Sequence, residues 1–188
     1  MKNSILLSLA LGLPVAVGVA SAEATQNPVV VFVTSLGNFE VEVYPDKAPL
    51  TVQNFLQYVN DKHYDGCIFH RVIPTFMIQG GGFDEKGTQK KTRDQIKNES
   101  GNGVNNDKYY IAMARTANLD SATSQFYINV KDNPNLDQMK YCAFGKVISG
   151  METVDKIRDV PTKTRAGHEN WPTDNVVIKS AKVKEEKK

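Results

Sequence analysis

Cysteine, histidine and tryptophan are scarce in this chain: two, three and one in 188 residues. Cys67 and Cys142 are too few for a structural zinc site, and His63, His70 and His168 have no metal-ligand spacing. Charge of one sign is missing as well. Lys plus Arg number 23 against 21 Asp plus Glu, a formal +2, and no basic cluster carries interleaved aromatics. Neither nucleic acid nor an anionic membrane is therefore an implied partner. The glycine-rich "GGGFDEKGTQK" lacks the Gly-Lys-Ser/Thr ending of a phosphate-cradling loop and reads as turn chemistry. No Cys/His pair or Ser/His/Asp set suggests itself, although residues distant in sequence can meet in space. There is no internal repeat and no low-complexity tract, and the terminal "KVKEEKK" reads as a solvated tail.

Long apolar runs are absent too, except at the start. Lys2, an apolar stretch from Ile5 to Val19 and the small residues Ala20-Ser21-Ala22 have the form of a secretory signal, with cleavage expected after Ala22. The alternative is a retained anchor, against which Gly12, Pro14 and Gly18 interrupt a run that is short for a span. Residues 1–22 are thus expected to be removed, leaving 23–188 as one domain. That domain, beginning at Glu23, is expected to be exported and soluble, with no membrane contact after cleavage. A bacterial periplasm is the expected destination, full secretion remaining open. In an oxidising compartment Cys67 and Cys142 have two readings, a disulfide or two small buried hydrophobes.

What is present is patterned. "VVVFVTS" (Val29 to Ser35) and "NFEVEVY" (Asn38 to Tyr44) flank Leu36-Gly37 as a β-hairpin, and Phe39, Val41 and Val43 alternate with Glu40 and Glu42. In "APLTVQNFLQYVN" the period changes: Val52, Phe55, Leu56 and Val59 recur at helical spacing behind Pro49. Strand-like runs follow at Cys67 to Ile73, Thr75 to Gln79, Tyr109 to Ala114, Ser124 to Val130, Tyr141 to Ile148 and Val176 to Val183. A second helix is expected over Met151 to Arg158, after Gly150. The polar stretch between Gln79 and Tyr109 is long for a loop, so it should be functional or carry short elements of its own. Strands joined by turns and loops argue an antiparallel sheet, either a closed eight-stranded β-barrel capped by two helices or a β-sandwich.

One stretch, "IFHRVIPTFMIQGGG", sets Arg71 between runs of large apolar side chains. Strand alternation groups Phe69, Arg71 and Ile73 on one face against His70 and Val72, and in "SQFYINV" groups Gln125 with Tyr127 against Phe126 and Ile128. Arg71 is then either a surface residue snorkelling over apolar neighbours or the polar element of a shallow pocket. In the second reading Phe76, Met77 and Tyr127 supply the walls, and Gln79 and Gln125 orient.

These residues carry a resemblance. "FHRVIPTFMIQGG", "IAMAR", "SQFYINV" and "FGKVISGMETVDKI", in this order, resemble the cyclophilins, the cyclosporin-class peptidyl-prolyl cis-trans isomerases, and most closely their exported bacterial members, over roughly Val29 to Val183. The resemblance implies a mainly β fold, an eight-stranded antiparallel barrel with two capping helices. It also implies that Arg71 is catalytic, that Phe76, Met77, Tyr127 and Leu136 line a proline pocket, that Gln79 supports Arg71, and that Ala114 and Gln125 belong to the adjoining groove. Tyr141 stands where many eukaryotic members carry histidine, Arg115 where many carry asparagine, and Tyr127 replaces the usual phenylalanine. Asn135 replaces the aromatic usually found before the Leu-Asp pair. Expected partners are proline-containing segments of exported proteins, the expected state is a monomer, and no cofactor is expected. A cyclophilin-like barrel that binds without catalysing, kept open by Asn135, is the main rival; a structural subunit of a periplasmic assembly is a weaker one. His70 is expected to be structural, and Trp171 to lie in a terminal loop with no site role. The missing aromatic predicts weak cyclosporin binding, which sub-micromolar inhibition would refute.

Overall fold

The computed structural model describes residues 26–185, so the expected signal segment lies outside the described residues. The first hairpin forms as its pattern predicts: β1 (Val29–Thr34) and β2 (Gly37–Val43) pair antiparallel, and Val30, Phe32, Phe39 and Val41 turn inward. Helix α1 (Pro49–Asn60) follows, then β3 (Cys67–Ile73), β4 (Met77–Asp84), β5 (Tyr110–Met113) and β6 (Phe126–Asn129). A short helix α2 (Pro134–Gln138), β7 (Ala143–Ser149), helix α3 (Met151–Arg158), a small hairpin of β8 (Thr162–Arg165) and β9 (His168–Pro172), and β10 (Ile178–Val183) complete the chain.

Eight strands form one antiparallel sheet in the order β10-β1-β2-β7-β5-β6-β4-β3. Its two end strands meet through an Ile68–Val177 bridge and the bonds Gly66 N–H to Ile178 O (2.8 Å) and Phe69 N–H to Val176 O (2.9 Å), so the sheet curls into a nearly closed barrel. The sandwich alternative falls with that closure. Phe32, Phe39, Phe55, Tyr64, Phe69, Phe126 and Phe144 fill the interior, joined by Val52 and Val59 of α1 and Val154 and Ile157 of α3.

Three expectations change. The glycine run is strand, not turn: β4 continues through Gly80 to Asp84. Glycine inside a strand marks close approach by another group, and here a Cβ on Gly81 would meet the Tyr64 ring at 2.8 Å. The faces of β3 also differ from simple alternation. Phe69 pairs with Gly80 and Arg71 with Gln79, so His70 is an extra residue, a β-bulge. Phe69 and Val72 therefore enter the core, whereas Arg71 and Ile73 face outward, and His70 lies on the same side as Arg71. Trp171, placed by pattern in a loop, is a buried residue of β9 at 2 % exposure. Its ring packs 5.6 Å from that of Phe83 and 6.0 Å from that of His70.

Cys67 and Cys142 are both free and buried. Cys67 Sγ donates to His63 O at 3.2 Å, while Cys142 Sγ lies 3.7 Å from Thr51 Oγ1. Burial pushes each thiol up to about 11, which leaves little thiolate near neutral pH. Of the two sequence readings, small buried hydrophobes is the one found.

Candidate active site

A barrel with a filled interior can offer a site only on its wall or rims, and strand register builds one on the wall. Arg71 pairs with Gln79, Gln79 with Tyr127, Tyr127 with Ala112, and Ala112 with Ala143. These five form a row across β3, β4, β6, β5 and β7. Because two alanines follow a tyrosine, the row is low at one end. Met77, Tyr127, Leu136, Ala112 and Ala143 bury themselves there in a second, smaller apolar cluster, with Ile73, Phe76, Ala114 and Tyr141 partly buried around it.

The resulting pocket, about 100 Å³, is lined by Arg71, Phe76, Met77, Gln79, Ala114, Arg115, Tyr127, Leu136 and Tyr141. Arg71 and Gln79 also line a wider, more polar groove of about 540 Å³ that holds Gln125 and continues to His168, Glu169 and Asn170. The structure thus brings together the nine residues expected to form the site: eight line the pocket, and Gln125 lies next door. Asn135 is exposed on α2 and is not among the lining residues, so the departure there sits at the rim. Larger clefts of about 390 Å³ beside α1 and about 380 Å³ beside Tyr44 lie away from these residues. Neither contains any of the buried residues of the second apolar cluster.

Polar contacts fix the charged wall. Gln125 Oε1 accepts from Gln79 Nε2 at 2.8 Å, which turns the Gln79 carbonyl toward Arg71, whose Nη1 lies 3.4 Å from Gln79 Oε1. Gly82 makes room for this: a Cβ there would sit 2.6 Å from the Gln125 side chain. Beside Arg71, His70 is 5 % exposed, with Nδ1 lacking a hydrogen-bond partner. Burial, helped by neighbouring His168 and Arg71, pushes the imidazole down to about 4. Neutral His70 thus adds no second cation at that point.

The floor rests on Asn106, a residue sequence reasoning did not single out. It is fully buried. Its Oδ1 accepts from Tyr127 Oη at 2.7 Å and Asn129 Nδ2 at 3.2 Å, and its Nδ2 donates to Asp137 Oδ1 at 2.7 Å and Tyr141 O at 3.1 Å. One side chain thereby ties the pocket residues Tyr127 and Tyr141 to helix α2, which carries Leu136. The hydroxyl that distinguishes Tyr127 from phenylalanine has this buried partner, and burial raises its pKa well above the ordinary value, so it stays a donor. The only signal in the sequence was the length of the polar segment. That segment also caps α1: Glu99 accepts from Leu50 N–H at 3.1 Å and Thr51 N–H at 2.8 Å, where Ala48 offers no side-chain cap. Among the described residues, no three His, Cys, Asp or Glu side chains group as a metal site.

Comparison with known proteins agrees with this geometry. The family model for cyclophilin type peptidyl-prolyl cis-trans isomerases matches residues 29–183. The chain belongs to the cyclophilin family. It is 52 % identical over 168 residues to a peptidyl-prolyl cis-trans isomerase of Acinetobacter baylyi, covering 87 % of this chain and 89 % of that one. It is 45 % identical over 163 residues to peptidyl-prolyl cis-trans isomerase B of Escherichia coli, covering 83 % of this chain and 99 % of that one. A crystal structure of a Cryptosporidium parvum cyclophilin superposes with a TM-score of 0.73 at 25 % identity, covering 86 % of this chain and 99 % of that one. A second structure of that cyclophilin, determined in the presence of the dipeptide Ala-Pro, gives a TM-score of 0.72 at 26 % identity, covering 84 % of this chain and 99 % of that one. The protein is accordingly a peptidyl-prolyl cis-trans isomerase.

Two outcomes are expected of this cyclophilin. Gly82→Ala forces Gln125 off Gln79, and with a net hydrogen bond of about 0.5–1.5 kcal/mol at stake, kcat/KM should fall about twofold to tenfold with little change in Tm; unchanged activity would show that Gln125 does not support the site. His70 gives a pH signature. Its folded pKa of about 4 lies below the unfolded value of about 6.5. The unfolded chain therefore takes the proton first, so stability is full above pH ~6.5 and declines toward pH ~4, by at most about 1.4 kcal/mol per pH unit. Melting curves over that range should flatten in His70→Gln; an equal slope in both proteins would contradict it.

Proposed function

We propose that this cyclophilin accelerates Xaa-Pro rotation in exported proteins, with Arg71 as the catalytic residue and the adjoining apolar pocket as the seat of the proline ring. The observation that carries this reading is the Arg71 guanidinium at the lip of a small apolar pocket, held by a Gln79–Gln125 relay. A volume of about 100 Å³ is below the roughly 150 Å³ cavity that accepts benzene, and suits a five-membered ring. Phe76, Met77 and Leu136 form its walls, Tyr127 its floor, Ala114 and Tyr141 complete its lining, and Gln125 lies in the groove beside it.

Xaa-Pro rotation is slow because twisting breaks amide resonance, a barrier of about 18–20 kcal/mol. No bond to another group forms, so the chemistry calls for no nucleophile, general acid, metal or cofactor. Raising the rate from roughly one event per hundred seconds to about a thousand per second takes on the order of 7 kcal/mol. Apolar walls grip the ring and exclude water that favours the planar, charge-separated amide. As the bond twists, the prolyl nitrogen becomes pyramidal and gains a lone pair. A guanidinium donor then binds the twisted form better than either planar one, and only such differential binding accelerates the step. A charge-assisted hydrogen bond supplies about 1.5–3 kcal/mol of it. Arginine also offers a planar fork that can hold the substrate carbonyl.

The binding-only reading rested on Asn135, whose exposed side chain leaves the pocket lining intact. We place the mature enzyme, from Glu23, in the periplasm as a monomer acting on proline-containing segments of folding proteins. The support is the sequence of residues 1–22 and, among the described residues, the lack of any helix long and apolar enough to cross a membrane.

In cis-to-trans relaxation of a short Xaa-Pro peptide, Arg71→Ala should lower turnover more than tenfold with an unchanged circular dichroism spectrum, and Arg71→Lys should lose most activity because an ammonium lacks the fork. A smaller loss in a folded Arg71→Ala protein would remove Arg71 from the mechanism. Export has its own check: the protein from a periplasmic fraction should begin at Glu23, and recovery of an uncleaved N terminus would contradict it.

A further inference from the structure

Arg115 follows Ala114 at the end of β5 and lines both the proline pocket and the wider groove. Its head group is fixed from three sides. Nη1 donates to Thr116 O at 2.8 Å, Nη2 donates to Met139 O, and the guanidinium lies over the Tyr141 ring, 4.1 Å from its centroid. Three of these contacts cost a flexible side chain most of its freedom, so the cation is already placed before substrate arrives.

No carboxylate among the described residues pairs with it. Among the described residues the ion pairs are Arg93–Asp61, Arg158 with Asp155 and Asp159, and Lys184–Glu40. Neither Arg115 nor Arg71 takes part. Around the groove the other titratable groups are His70, pushed down to about 4 by burial, exposed His168 and exposed Glu169, the latter two on the β8–β9 hairpin. Two guanidiniums thus face one carboxylate, and that carboxylate bonds to neither. Fixed, uncompensated charge beside a binding pocket acts on partner choice more than on the pocket's own chemistry.

Resting on the isomerase reading above, we propose that Arg115 is a specificity-determining residue that selects peptides carrying an acidic side chain close to the proline. An aspartate or glutamate of the substrate supplies the counter-charge the groove lacks, and a lysine there meets two like charges. Pairs of this kind are partly screened, so the preference is modest and depends on salt.

The test uses peptides with Glu, Gln or Lys at each of the two positions before and the two after the proline, with kcat/KM measured for each. At one or more positions Glu should exceed Lys by about threefold or more, with Gln between; the ratio should shrink as salt rises from about 20 to about 500 mM. In Arg115→Gln the ratio should approach one. Because it is a ratio, a uniform loss of activity in the variant cancels, and the salt dependence of the unaltered protein stands without any variant. Glu/Lys ratios below about threefold at every position, or a ratio that Arg115→Gln leaves unchanged, overturn the inference while activity on the Gln peptides keeps the isomerase reading. A protein inert on every peptide overturns both.

Discussion

Aromatic rings occupy the inside of this barrel so fully that no substrate can enter it. Phe32 stacks on Phe39 at 4.8 Å, Phe55 meets Phe144 at 5.1 Å, and Tyr64 and Phe69 set their edges against Phe126 at 5.3 and 6.1 Å. That packing supplies the stiffness of the scaffold and moves the chemistry to the outer wall. A strand can serve both sides only if its residues sort correctly, and on β3 the sorting depends on the bulge at His70. With strict alternation Phe69 and Arg71 would share a face, and either the ring would leave the core or the guanidinium would enter it. The extra residue lets both be satisfied.

From that point the site is assembled by neighbours across strands. Gln79 stands opposite Arg71, and Tyr127 stands opposite Gln79. Small residues at 112 and 143 leave the depression, and Leu136 on the short helix α2 closes it. The segment from Glu85 to Tyr109 is equally part of the design, since its asparagines use their amides where backbone partners are missing. Asn102 donates to Ala143 O at 2.9 Å behind the pocket, and Asn106 holds the floor. A buried polar cluster of this kind is favourable only when each member is satisfied, and the Asn106 side chain meets that condition on both its oxygen and its nitrogen.

Regular periodicity made most of the frame legible in advance. The first hairpin, α1 and α3 follow periods of two or 3.6, the other barrel strands stood out as apolar runs, and a strong local motif pointed to the pocket residues. What was not legible depended on contacts between distant segments. Glycine in "QGGGF" looks like a turn from local propensity, yet its meaning is set by Tyr64 and Gln125 pressing on the strand. The bulge at His70 appears only in the register with β4. Trp171 sits in a polar context, "HENWPTDN", and is buried because the β8–β9 hairpin folds its ring toward His70 and Phe83. Asn106 is one of several asparagines in a polar loop, and nothing local sets it apart. Arg115 was visible as a departure from the asparagine many members carry, but its anchoring on Tyr141 was not.

The central claim is that Arg71 acts on the twisted amide and contributes little to holding the planar peptide. Exchange NMR on a proline peptide reports both quantities at once, the isomerisation rate of the bound peptide and its Kd, for the protein and for Arg71→Ala. The account predicts a bound-state rate more than tenfold lower in the variant with Kd changed less than about threefold. A loss of affinity as large as the loss of rate, with the bound-state rate preserved, would show that Arg71 serves only to bind, and would contradict it.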